Sequence, residues 1–208
     1  MDMVGIGFLK ERAMKTENRN STVVVAAAMV LLACLGFVAG SAFAASPSFK
    51  AELPVAITSA GQSLDAYTLS LVCKRAKIDH AFNNSLKPED LKGIKTLLVV
   101  MGGSAKGLGE AGIDEKGELD RVGRLLVKSK ELGIKLIAVH LGGESRKGAL
   151  SDKFIDPVVA KAEYLIVTED SNKDGAFAKM AKEKKLPIAV VKQAMDVAKE
   201  LKRIFSLK

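Results

Sequence analysis

The 208-residue chain has no tryptophan, two tyrosines, two histidines and two cysteines, and each shortage closes off a kind of chemistry. Only Tyr67, Tyr164 and a few phenylalanines could stack on bases, so the net charge of +8 does not read as a nucleic-acid surface. The lysines and arginines are also spread along the chain, as in Lys182-Glu183-Lys184-Lys185, which is the pattern of a solvated face. His80 and His140 have no ligand spacing between them, so no transition-metal site is expected. Cys34 lies in the apolar N-terminal stretch, leaving Cys73 without a partner for a disulfide. Its neighbours Leu69, Leu71 and Val72 mark Cys73 as a buried structural thiol in a helix. A phosphate loop ending in Gly-Lys-Ser/Thr is missing, as are hairpin signals, internal repeats and a second domain.

What the chain does have begins with a targeting segment. Lys15 and Arg19 precede an uncharged apolar run, Thr22 to Val38, followed by Gly40-Ser41-Ala42-Phe43-Ala44. The small residues Ala42 and Ala44 predict cleavage after Ala44 and a periplasmic or secreted product. Uncleaved, the uncharged stretch from Ser21 to Ser48 would be a membrane anchor with the domain outside. Leu31-Leu32-Ala33-Cys34 also resembles a lipid-attachment box, although the apolar run continues past the cysteine. The expected organisation is a signal or anchor over 1–44, an extended leader over 45–53 and one domain over 54–208. The first 44 residues hold four of the 32 basic and three of the 24 acidic side chains, so the remaining 164 residues keep a positive balance. That length is enough for one domain with a proper core.

Short apolar runs alternate with helical patterns through the rest of the chain. Strands are predicted at Val55–Thr58, Ile78–Phe82, Thr96–Met101, Lys135–Leu141, Tyr164–Val167 and Ile188–Val191. Between them come a helix at Leu64–Ala76 capped by Ser63, a helical turn at Pro88–Leu91, and a helix carrying Leu119, Val122, Leu126 and Leu132 that Gly133 ends. Ser151–Ala162 reads as a short helix interrupted near Pro157, and another carries Phe177, Met180 and Ala181. Ala194, Val197, Ala198, Leu201, Ile204 and Phe205 form the apolar stripe of the last helix. The alternation predicts a three-layer α/β sandwich, with a mainly parallel sheet of five or six strands in a flavodoxin-like or Rossmann-like order.

Several motifs invite a stronger reading than their surroundings support. Gly107-Leu108-Gly109-Glu110-Ala111-Gly112 matches the dinucleotide fingerprint, but the strand ends by about Gly102 and the next helix is expected only near Asp114 or Glu115. Gly102-Gly103-Ser104-Ala105-Lys106 approaches a nucleophile elbow with lysine in place of the last glycine; His140, oriented by Asp170 or Glu144, would complete a triad with Ser104. Asp170-Ser171-Asn172-Lys173-Asp174-Gly175 matches half a calcium loop, yet its twelfth position is Ala181, and Ser171 reads as a helix cap paired with Asp174. No metal or cofactor is therefore expected.

Three glycine-rich turns remain. Ser59 to Ser63, Gly102 to Gly107 and Gly142 to Gly148 each follow a strand, and in a parallel sheet they share one edge, where ligands bind. Ser59, Gly61, Gln62, Ser63, Gly102, Gly103, Ser104, Lys106, Gly142, Gly143, Glu144 and Arg146 are the expected binding residues. Backbone amides of the turns would hold an anion, with charge supplied by Lys106 and Arg146 and directional hydrogen bonds by Ser59, Gln62 and Ser104. The same segments, with Asn172-Lys173-Asp174-Gly175, resemble a family of exported bacterial proteins known only as a domain of unknown function. The resemblance covers nearly the whole domain and implies export and a single α/β domain, with no catalytic residue to transfer. The expectation is a non-enzymatic extracytoplasmic binding module for a small anion, serving transport or sensing. An envelope hydrolase built on Ser104 and His140, or a membrane-attached protein-interaction module, is the alternative.

Overall fold

The computed structural model describes residues 49–207. The signal, anchor and lipid-box readings lie outside these residues. Six parallel strands form one sheet in the order β2-β1-β3-β4-β5-β6. They are β1 (Val55–Ala60), β2 (His80–Phe82), β3 (Thr96–Met101), β4 (Lys135–His140), β5 (Tyr164–Thr168) and β6 (Ile188–Val191). Every residue of β1 and β3 is buried, as continuous apolar runs covered on both faces should be. Six helices accompany them: α1 (Asp65–Arg75), α2 (Ala105–Glu110), α3 (Glu115–Glu131), α4 (Ala149–Val159), α5 (Ala176–Lys184) and α6 (Val197–Ile204). The fold is thus the three-layer α/β sandwich the sequence predicts.

Alternation along each strand builds two cores. Val55, Ile57, Leu98, Val100, Ile137 and Val139 pack with α1 and α6 through Leu69, Val72, Val197, Leu201 and Ile204. Ala56, Ala60, Leu97, Val99 and Met101 face the opposite way, against α3, α4 and α5, where Val122, Leu125, Phe154 and Phe177 are buried. The helix after β1 and those after β3 therefore cover opposite faces, and the strand order reverses between these two neighbours. That reversal opens a crevice beyond their carboxyl ends. Cys73 is fully buried against α1's core, and burial pushes its thiol up to about 12. Among the described residues, no helix is long and apolar enough to cross a membrane.

The leader is extended but tied down. Phe49 stacks on Tyr164 with ring centroids 4.8 Å apart. The Ala51 amide donates to the Ile204 carbonyl at 3.0 Å, and the Thr96 hydroxyl accepts the Glu52 amide at 3.0 Å and donates to the Glu52 carbonyl at 2.6 Å.

Four local expectations need correction. The stretch after Gly103 is helix α2 rather than a long loop, because the Ser104 hydroxyl accepts the Gly107 amide at 3.0 Å and starts the turn at once. Helix α4 begins two residues early and runs unbroken to Val159, with Pro157 inside its last turn, so the proline marks where the helix ends rather than an interruption within it. Leu132 is a half-exposed C-cap, while Leu125 takes the buried place in α3. Ser171 does not cap α5: it points inward from a 3-10 turn, and α5 is instead capped by Asp174 and Asn172, whose side chains accept the Ala176 and Ala178 amides at 3.1 and 3.0 Å.

Candidate functional site

The first two glycine-rich turns meet at the strand-order reversal. The Gly102 amide donates to the Ala60 carbonyl at 3.0 Å and the Ser104 amide to the Gly61 carbonyl at 2.8 Å, carrying the β1–β3 contact past the strand ends. Glycine is required at two of these positions by close approach. A Cβ on Gly103 would lie 2.6 Å from Leu150 Cγ, and one on Gly107 would overlap the Gln62 carbonyl oxygen. The glycines therefore let α2 and α4 close onto the turns.

Packing this tight consumes the amides expected to hold an anion. Gly61 donates to Glu118, Ser63 to the Ser59 hydroxyl, Gly103 to the Ser151 hydroxyl and Gly143 to the Ser171 hydroxyl, at 2.9 to 3.2 Å. The Ser63 hydroxyl accepts the Asp65 amide at 3.2 Å, close to the capping role expected of it. What faces solvent is a set of side chains. A cleft of about 700 Å³ is lined by Gln62, Asn84, Ser85, Ser104, Lys106, Glu110 and Arg146, with Leu64, Gly107 and Ala111 completing its walls. Four of the twelve expected residues, Gln62, Ser104, Lys106 and Arg146, are thus brought together.

The other eight lie around or beneath the cleft. Ser59, Gly61, Ser63 and Gly102 are buried in the floor. Gly142 lies directly under the Arg146 side chain, which a Cβ there would displace. Gly143 has a φ of +63° and sits against Asp170. Glu144 is exposed and pairs with Lys147 at 3.1 Å.

Charge in the cleft is balanced. Arg146 Nε stands 3.7 Å from Asp65 Oδ2, and Lys106 Nζ stands 3.6 Å from Glu110 on the exposed face of α2. Asp65 Oδ2 and Asn84 Oδ1 are both shielded from solvent and have no hydrogen-bond partner among the described residues.

The floor is organised by two residues that the sequence reading missed. Glu118 and Arg121 project from α3 into the protein, and their carboxylate and guanidinium form a two-pronged pair at 2.8 Å. Glu118 also accepts the Gly61 amide at 2.9 Å and the Gln62 side-chain amide at 3.1 Å. Arg121 donates to the Ser59 carbonyl at 2.6 Å and the Leu86 carbonyl at 2.8 Å. One ion pair therefore fixes the β1 turn and the 84–86 loop together. The available signal was spacing: Glu118 and Arg121 share a helix face with Val122 and Leu125, where a polar pair is out of place.

His140 is organised separately. It is fully buried; Nδ1 lies 2.8 Å from the Ser171 hydroxyl and Nε2 lies 3.2 Å from the Arg146 carbonyl. The carbonyl can only accept, so Nε2 carries the proton and Nδ1 accepts from Ser171. Ser171 in turn contacts the Thr168 hydroxyl at 2.7 Å and accepts the Gly143 amide at 3.2 Å. Burial lowers the His140 pKa, outweighing the Arg146 carbonyl that favours protonation. Both ring nitrogens are thus engaged away from Ser104, whose hydroxyl caps α2. The half calcium loop is likewise internally paired, Asp170 with Lys173 and Asp174 with Lys147.

A model of the family described as "Domain of unknown function (DUF6305)" matches residues 52–205, from the leader to the end of the last helix. The chain belongs to that family. The match takes in the whole sheet and every residue of the cleft, so the site is part of the DUF6305 domain. No curated protein matches the chain.

Proposed function

We propose that this DUF6305 domain is a non-enzymatic binding module for a small organic anion, of the kind that serves transport or sensing. The observation that carries the reading is the cleft at the strand-order reversal, with Arg146 and Lys106 on its walls and Gln62, Asn84, Ser85 and Ser104 between them. An arginine fork suits a carboxylate in two-pronged fashion, and the neutral groups give orientation. The rigid floor under Gln62 supports preorganisation, which limits the ordering cost of binding. A hydrolase draws no comparable support, because His140 is held by Ser171 and the Arg146 carbonyl. Export is read from the N-terminal segment alone.

The test is thermal unfolding in the presence of organic acids. An acid held at 100 times its Kd should add about 2.7 kcal/mol to the stability of the folded state. Arg146→Ala and Lys106→Ala should both remove that shift; Lys106 is a surface group, so its variant should keep the unliganded melting temperature of the parent, whereas Arg146 stands beside the shielded Asp65 carboxylate and the shift of its variant is measured from that variant's own unliganded melting temperature. No shift with any acid would sink the reading and favour a protein partner.

A further inference from the structure

Positive charge that is spread along the sequence is partly gathered by the fold, on the layer formed by α1 and α6. Leu64, Tyr67 and Leu71, at the N-cap of α1 and three and seven residues on, are 68, 51 and 47% exposed. At the helical period they share the pole of α1 that faces away from the buried Ala66, Leu69 and Cys73. They make an apolar ridge about 10 Å long, at the place where a helix ordinarily turns polar groups to water. Met195, just before α6, is 42% exposed. Four of the eight large apolar side chains exposed among the described residues therefore lie on this one layer of the sandwich.

Lys74 and Arg75 continue the ridge into the last turn of α1, and Lys199 stands opposite them on α6. A depression of about 490 Å³ joins the two helices, lined by Val72, Ala76 and Ala198 with Arg75, Lys199 and Met195 around them. All three cations are exposed and make no ion pair among the described residues. The carboxylates of the same elements are engaged: Asp65 by Arg146 at 3.7 Å, Glu200 by Arg203 at 2.6 Å, and Asp196 by the Gln193 amide at 3.2 Å. An apolar ridge flanked by unanswered positive charge complements a surface that is apolar beneath and anionic on top. We propose that this face docks on an anionic lipid bilayer, with Leu64, Tyr67 and Leu71 in the headgroup boundary and the cations against phosphate groups. Flexible cations around a convex ridge suit a fluid array of headgroups better than the fixed acceptors of one protein partner. Leu64 also lines the cleft, so the docked edge borders its mouth.

The chain has no tryptophan, so one introduced on the ridge reports its own surroundings without background. Leu71→Trp in the full chain is mixed with vesicles of phosphatidylcholine alone, or of equal parts phosphatidylcholine and phosphatidylglycerol. Val127→Trp, at an exposed position on α3 in the opposite layer, is the control. With the anionic vesicles only, the Leu71→Trp emission is expected to shift to the blue and to be quenched by lipids with brominated acyl chains. Raised salt should reverse the response, and Val127→Trp should show none. Adding Lys74→Glu and Lys199→Glu to the Leu71→Trp chain should weaken the vesicle affinity at least about tenfold. All four positions are exposed, and unchanged melting temperatures confirm that the variants fold. An unresponsive Leu71→Trp overturns the assignment and leaves the ridge to a protein partner. An equal response from both reporters, from neutral vesicles, or after the charge reversals overturns it as well.

Discussion

Glu118 and Arg121 show how much one pair of side chains can determine. Neither touches the cleft's open space as a pair, yet together they make six hydrogen bonds that converge on Ser59, Gly61, Gln62 and Leu86 or on each other. A buried ion pair is a weak source of net stability, because desolvation offsets the attraction. Removing one partner is different, since the other charge is then stranded. Glu118→Gln should therefore cost about 3–5 kcal/mol in chemical denaturation. A loss below about 1 kcal/mol would mean that Arg121 finds another partner or reaches water. The pair was hidden in the sequence because charged residues three apart on a helix usually face solvent. Only the register of Val122 and Leu125 beside them hints at burial.

At the scale of elements, α2 is the part least legible in advance. Gly107, Gly109 and Gly112 argue against helix, as glycine costs roughly 1 kcal/mol per position relative to alanine. Tertiary contact overrides that preference: α2 rests on the Gln62 turn, and Gly107 is where the approach is tightest. The two roles of glycine give opposite predictions. Gly107→Ala should destabilise by about 1–3 kcal/mol, as overpacking does, and should push α2 away from Gln62. Gly123→Ala in α3 should stabilise by about 1 kcal/mol, because nothing lies within 4 Å of the added methyl. Melting temperatures moving in the same direction would refute this account. The strands were legible because runs such as Leu97-Leu98-Val99-Val100 suit burial on both faces. The meeting of the first two turns followed from strand order alone. The loss of their amides to protein acceptors did not, since it depends on Glu118 and Ser151, which are distant in sequence.

For the molecule as a whole, His140 joins the ends of β4 and β5 to the turn carrying Arg146. Its folded pKa lies below the unfolded value of about 6.5, so the unfolded chain binds the extra proton first. The stability it supplies is complete above that value and is lost as pH falls toward the folded pKa. The slope has an upper limit of about 1.4 kcal/mol per pH unit, that of one proton. Asp170 and Asp174 are held low by hydrogen bonds from Lys173 and Lys147, and they act in the same direction only near pH ~4. Unfolding measured between about pH 7.5 and 5.5 should show declining stability in the parent and a flatter profile in His140→Asn. Equal slopes would remove His140 from the pH response.

The strapped leader sets a direction for the molecule. Phe49, Ala51 and Glu52 are fastened to Tyr164, Ile204 and Thr96, at the amino ends of strands β5 and β3 and the end of α6. The cleft opens at the strands' carboxyl ends. The described chain therefore enters the domain on the side opposite the mouth of the cleft. Residues 49–53 thus take no part in the walls of the cleft, and whatever they are fastened to lies at the other end of the strands.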